Sequence, residues 1–404
     1  MTIDQKPAQA AQPASAPPYP DFPKEEFERR YAAARSLMAE QHLDALLITE
    51  ESNYTYFTGH RSVQNPGDKV RPYVIVLPLR ADPLVFVMPF EEGHIKLTTW
   101  LDWTRQVRTY KLFKHNDTLV EGLQEMGLSA GRIGCELGRE QYLEFSYKDF
   151  TQLRERLPEL EFVDASDILL TLRSVKSALE IDRCRTAARI VARTLDRVFS
   201  AVKPGMTNVD VARLVRVIMA EEGGEKVHRL AIASGFDMTK AGKISVTVPR
   251  VLEAGDTLTI DTGAGLQGYV SDICRTGVVG RASQQQKDMY KFIIELNHKC
   301  YEQVRVGNQC EDVAILCQQE VARAGRATQG VGRIGHGVGR DSPEYPSLAV
   351  GEKLPILPGM IFSCNPNFLT QFGFFNSEEE FLVTERGYEF LSSPQAPHEL
   401  RELG

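Results

Sequence analysis

Thr259–Gly277 reads TIDTGAGLQGYVSDICRTG. Two aspartates, Asp261 and Asp272, stand among residues that favour strands, with a glycine-rich turn between them. A hairpin centred on Gly265–Gly268 would set the two carboxylates opposite each other on adjacent strands, roughly 4.5–5.5 Å apart. Like charges that close need a cation between them, or a proton on one of them. The bland alternative sends one aspartate to solvent and pairs the other with Arg275.

Other strand-like stretches carry matching chemistry. His336 lies in GRIGHGVG, where glycines let the backbone crowd an imidazole, although a lone histidine among glycines is more often structural. Glu378 opens EEEFLVTE, which is acidic where a strand should alternate with apolar residues; a solvated strand end reads the same way. Glu380 shares a face with Glu378, so the register there stays open. Two Asp, one His and one Glu on separate strands make an N/O donor set suited to Mn, Fe, Co or Zn. A bridging carboxylate pair also suits two metals about 3.5–4 Å apart.

The rest of the chain sets the frame. Its 404 residues suggest two or three domains at about 150 residues each. A hydrophobic content of 42% and a charged content of 25% are those of a globular protein with a real core. A net charge of -7 argues against wholesale binding to nucleic acid or anionic membrane. No apolar run reaches the ~18 residues of a membrane span. Residues 1–22 are rich in Pro, Ala and Gln, lack a secretory pattern, and read as a disordered tail. Seven scattered cysteines without zinc-motif spacing read as reduced thiols, and the expected location is cytoplasmic. A helix from Lys24 to Gln41 and the strands LDALLITE, YVIVLPL and PLVFVMP open an α/β domain over residues 23–171. From Ala178 a long amphipathic helix begins. KPGMTN stops it, and Thr207 or Asn208 can cap the next one. Further helices from about Ser283 to Val306 and Cys310 to Ala324, followed by strands, make residues 172–404 an α+β domain with helices packed around an antiparallel sheet.

The stretches ALLITEESNYTYFTGH, LRSVKSALEIDRCRTAARI, VKPGMTNVDVA, EAGDTLTIDTGAGLQGYVSDICRTGVVG, GHGVG, LPGMIFS and FLVTERGYEFL occur in an order that resembles the pita-bread-fold enzymes. That family includes methionine aminopeptidases, Xaa-Pro aminopeptidases, prolidases and creatinase. The resemblance runs from Phe27 to Leu391 and is closest to the prolidase–creatinase branch. It implies a C-terminal pita-bread domain behind a creatinase-like N-terminal domain, and a homodimer. It also implies metal ligands at Asp261, Asp272, His336, Asn365 and Glu378, with one or two divalent ions per chain. A metal-free, creatinase-like mechanism is the other outcome. By resemblance, Asp272, His336, Asn365 and Glu378 surround one ion, and Asp261, Asp272 and Glu378 the other. Asn365 stands in FSCNPN where the family has a glutamate, so the first position loses a charge.

Two further departures bear on chemistry. The family's peptidases carry one histidine between the ASG turn and the first aspartate, and another shortly after the glycine-rich histidine motif. Ala233–Asp256 contains none, and GHGVGRDSPEYP offers Pro343 and Glu344 instead. Glu344 is the candidate proton shuttle. Arg71, in RPYVIVL, resembles creatinase's arginine-bearing segment, and Arg340 suits bidentate carboxylate recognition. His228 can approach the pocket from another side. These departures lead to the expectation of a metal-assisted hydrolase that cleaves a C–N bond in a small, carboxylate-bearing non-peptide or modified amino acid. The alternatives are an Xaa-Pro dipeptidase, a lyase working by elimination, and a non-catalytic binding module.

Overall fold

The computed structural model describes residues 16–62, 71–235, 248–328 and 332–404. The chain divides into two units, residues 1–169 and 170–404, close to the expected boundary near Leu172.

In the first unit a six-stranded mixed sheet runs, in spatial order, through Val107–Thr109, Leu84–Val87, Val74–Pro78, Ala45–Ile48, Gly131–Cys135 and Leu160–Asp164. Ala45–Ile48 and Leu84–Val87 are buried at every position, which is why they read as continuous apolar runs rather than alternating ones. Leu119, Val120 and Leu123 of the helix His115–Glu125 pack with Leu153 of Tyr147–Arg156 against this sheet. The tail ends earlier than its composition suggests. Phe22 is buried, its carbonyl accepts the Trp100 indole N–H at 2.9 Å, and the Tyr19 amide donates to Leu97. Residues 1–15 lie outside the described residues.

The second unit is built twice from one plan. The helix Ala178–Ala201, opened by a Ser177–Glu180 capping box, is followed by Asn208–Glu221, capped by Thr207 and Asp210. The helix Gln284–Gln303 is followed by Cys310–Arg323, with Gln309 and Asp312 at its start. Thr207 bridges to Val251 and Gln309 to Pro355, so each second helix is tied to the chain that leads into a central strand. The helices, first turns and caps match the sequence expectation, with Thr207 as the cap.

Two five-stranded sheets result. One has the order Arg401–Leu403, Ile273–Val279, Thr257–Leu266, Lys226–Ser234, with Tyr269–Val270 paired to the end of Thr257–Leu266. The other has the order Glu344–Ser347, Gly335–Gly337, Ile361–Cys364, Glu379–Thr384, Gly387–Phe390. A bridge between Cys274 and Glu378 joins them. The core beneath the second sheet is aromatic and sulfur-rich, with Tyr301, Phe362, Phe381, Cys300, Cys317 and Cys364 in one cluster. All seven cysteines are buried and free. No described helix is long and apolar enough to cross a membrane.

One expectation about the hairpin needs correcting. Asp261 pairs in register with Cys274, not with Asp272. Pairing breaks after the short strand Tyr269–Val270, so Asp272 enters at the break and lies diagonal to Asp261. Gly263 makes this crossing possible: a Cβ there would lie 2.0 Å from the Ser271 carbonyl oxygen. Gly263→Ala is expected to cost about 2 kcal/mol or more in urea unfolding. Gly265→Ala, whose Cβ would meet only the flexible Lys226 side chain, should cost less. Equal costs would remove Gly263 from this role.

Candidate metal centre

The centre forms where the two sheets meet. Asp261 lies in Thr257–Leu266, whose positions are buried up to the last residue. The adjoining strand Lys226–Ser234 carries a β-bulge between Val227 and Arg229, and bulges re-aim the side chains that follow them. Arg229, whose side chain is 38% exposed, reaches the two aspartates from this strand. Its Nη2 donates to Asp261 Oδ1 at 3.1 Å and to Asp272 Oδ1 and Oδ2 at 3.2 and 3.0 Å. Burial opposes the guanidinium charge, but Asp261, Asp272 and Glu378 outweigh it and hold Arg229 as a cation.

The acids here are under electrostatic pressure. Burial, then Glu378 and Asp261, push the Asp272 carboxyl well above the ordinary carboxylate range. Arg229 pulls against this, as does the Ser342 hydroxyl, which donates to Asp272 Oδ2 at 2.7 Å. Glu378 Oε1 accepts from Ser363 Oγ at 2.7 Å and from Asn365 Nδ2 at 2.9 Å. Glu380 Oε2 accepts the Asp272 amide at 3.1 Å, and burial lifts this carboxyl to about 8. Both glutamates point inward, and Glu378 is the one facing His336. Arg275 binds Glu379 at 2.8 Å and the Glu378 carbonyl at 2.7 Å, so it does not neutralise either aspartate.

His336 supplies the test of whether a metal fits. Its Nδ1 lies 3.0 Å from the Gly337 carbonyl oxygen, which can only accept, so Nδ1 carries the proton. Burial pushes the imidazole down to about 3, leaving it neutral. The bare Nε2 lone pair then faces Asp272 Oδ2 at 3.7 Å and Glu378 Oε1 at 3.9 Å. The imidazole lone pair and two carboxylate oxygens thus converge, the oxygens already accepting from Ser342 and Arg229 on Asp272 and from Ser363 and Asn365 on Glu378. Asp272, His336 and Glu378 each offer an atom within 4.8 Å of the others, and all three are buried. A divalent ion fits this donor set, with the imidazole in the tautomer a ligand needs. The Asp261–Asp272 side differs, because Arg229 Nη2 already contacts both carboxylates. Asn365 presents its amide nitrogen to Glu378, so service as an oxygen ligand would require the amide to turn over.

The remaining sequence candidates fall in several places. Glu344 was expected to shuttle protons. Instead, its Oε2 binds Arg173 Nη2 at 2.7 Å and the Arg340 and Asp341 amides at 3.0 and 3.2 Å, while Oε1 binds Lys176 Nζ at 3.0 Å. Although burial works the other way, Lys176 and Arg173 hold this carboxyl down at about 2. These partners make Glu344 an anchor of the loop after His336. His228 sits at the bulge with Nε2 3.2 Å from the Ser342 carbonyl, and burial lowers its basicity. Arg340 is 6% exposed, with Nε and Nη1 lacking hydrogen-bond partners and its guanidinium 5.0 Å from the Tyr269 ring centre. Arg71 belongs to the first unit, with its guanidinium 5.8 Å from the Phe90 ring. The stretch noted for its missing histidine has its middle, residues 236–247, outside the described residues. Arg229, Ser342 and Ser363 were not foreseen.

Comparison with known proteins places this geometry in a family. Residues 182–385 match the model of metallopeptidase family M24, and residues 30–175 match the creatinase/prolidase N-terminal domain. The chain belongs to metallopeptidase family M24. It is a metal-dependent hydrolase of the prolidase type with a pita-bread fold. It is 29% identical to a probable dipeptidase PepE of Mycobacterium tuberculosis, covering 94% of this chain and 97% of that one. An Xaa-Pro dipeptidase of Pyrococcus horikoshii is 24% identical, with 89% and 95% covered. The crystal structure of dipeptidase PepE from Mycobacterium ulcerans superposes with a TM-score of 0.82 at 26% identity, covering 95% and 99%.

The Glu344 anchor has a measurable signature. A carboxyl depressed from 4.5 to about 2 contributes stability that is complete above 4.5 and is lost as pH falls toward 2. The difference corresponds to about 3 kcal/mol. Glu344→Gln should flatten the acid limb of stability against pH in denaturant titrations between pH 5 and 2. An unchanged slope would contradict the anchor.

Proposed function

We propose that this protein hydrolyses the C–N bond of a small substrate bearing a free carboxylate, with Xaa-Pro dipeptides as the first class to test. The observation that carries the reading is the pairing of a neutral imidazole with buried carboxylates at the metal position. The named activities of the relatives favour a dipeptide over the non-peptide substrate expected from the sequence. Asp272, His336 and Glu378 would hold the ion. When bound, a divalent ion there supplies a Lewis acid that makes water nucleophilic near neutral pH.

The chain's own groups do the rest. Ser342, Ser363 and Asn365 orient the carboxylates through donated hydrogen bonds, and that fixes the ligand geometry before substrate arrives. Arg340 keeps two unpaired donors, Nε and Nη1, in a buried setting, and a substrate carboxylate would satisfy one of them by a charge-assisted hydrogen bond. In a homodimer Arg71 could add a second cation; light scattering tests that assembly. The amide at Asn365 and the absence of a histidine in GHGVGRDSPEYP after His336 support a second reading, in which the substrate is a modified amino acid.

The deciding experiment supplies purified protein with Mn2+ and measures release of free proline from a panel of Xaa-Pro dipeptides, alongside N-acylated amino acids. Turnover of the dipeptides supports the first reading, and turnover of the acylated amino acids alone supports the second. No hydrolysis of either class would contradict the proposal. Arg340→Ala should raise KM for the carboxylate substrate about tenfold or more while leaving cleavage of its amidated analogue unchanged. Equal effects on both would remove Arg340 from carboxylate binding.

A further inference from the structure

Arg229 has no place in the ligand set carried over from the family, yet its guanidinium lies inside that set. Nη2 is 3.0–3.2 Å from one oxygen of Asp261 and both oxygens of Asp272. An ion bound to the same oxygens would sit about 2.0–2.2 Å from each. Two cations cannot share that space. Arg229 follows a bulge after Val227, and its three contacts to the two aspartates hold the guanidinium at this point.

We propose that Arg229 is a resident cation that replaces one of two metal ions, so that the protein binds a single divalent ion, on the Asp272–His336–Glu378 side. The inference rests on the metal-binding reading above and goes beyond it by fixing the number of ions and their place. Charge balance supports it. Asp261, Asp272 and Glu378 bring three negative charges. One guanidinium and one divalent ion bring three positive charges, whereas two ions plus the guanidinium would bring five. His336 aims a bare lone pair toward Asp272 Oδ2 and Glu378 Oε1, so an ion there would take Oδ2 from its present donors, Arg229 and Ser342, and leave Arg229 on Asp261 and Asp272 Oδ1.

The placement reverses the sequence expectation. Asn365 suggested that the His336 side is the weakened half. Arg229 instead closes the Asp261 half, which has its full set of protein ligands. The guanidinium also lets the carboxylates stay buried together without metal, so the metal-free wild-type chain should remain folded.

The test is metal stoichiometry, which needs no substrate. Wild-type protein, Arg229→Met and Arg229→Lys are stripped with chelator, equilibrated with buffered Mn2+, freed of unbound ion and measured by plasma mass spectrometry. The expected contents are one ion per chain for wild type and for Arg229→Lys, and two for Arg229→Met. Thermal unfolding should separate the same proteins. Chelator-treated Arg229→Met should melt at least 5 °C below wild type and recover on adding Mn2+, through the added binding energy. Two ions on wild type would overturn the inference while leaving the metal-binding reading intact, and so would a single ion on Arg229→Met. No ion on any of the proteins would overturn both. If Arg229→Met cannot be purified folded, the wild-type count alone still decides between one ion and two.

Discussion

Three buried carboxylates, Asp261, Asp272 and Glu378, converge where two sheets meet, and a protein interior tolerates such a cluster only with cations or protons among them. Much of the second unit serves that constraint. Gly263 gives up a side chain so that the Ser271–Asp272 backbone can cross it. The Cys274–Glu378 bridge holds the second sheet's acid against the first sheet's strand. Arg229, just past the bulge at His228, brings a guanidinium to the aspartates. Burial and the neighbouring Glu378 and Asp261 push Asp272 upward even with Arg229 in place.

Local chemistry was legible in the sequence wherever it depended on neighbours along the chain. The continuous apolar run at Ala45–Ile48, the cap at Thr207 and the glycines around His336 each declare their structure within a few residues. Asp261 and Asp272 announced themselves as acids in a buried strand pattern. What escaped depended on partners far apart. Glu344 looked available because Arg173 and Lys176 lie 171 and 168 residues away. Arg229 drew no notice in the sequence, since a bulge that shifts register leaves no mark in composition. The Asp261–Asp272 pairing was misjudged by two positions for the same reason. A clue was present, however: a lone arginine followed directly by LAIAS is out of keeping with a strand that ends fully buried.

The family relationship and the local differences describe one chemistry at two scales. The fold and both domains are those of prolidase-type enzymes. Within that setting, charge is redistributed. An amide stands at Asn365 where a carboxylate is expected, and a fixed guanidinium meets the aspartates. Arg340 adds a second buried guanidinium, facing no anion within the described hydrogen bonds. The site therefore carries more fixed positive charge and fewer carboxylates than a two-metal centre needs. An anionic, carboxylate-bearing substrate suits that balance.

The most direct measurement is anomalous diffraction at the manganese edge from crystals grown with Mn2+. The account predicts one anomalous peak per chain, ligated by Asp272, His336 and Glu378, with Arg229 Nη2 still between Asp261 and Asp272. Two peaks bridged by the aspartates, with the guanidinium swung away, would contradict it.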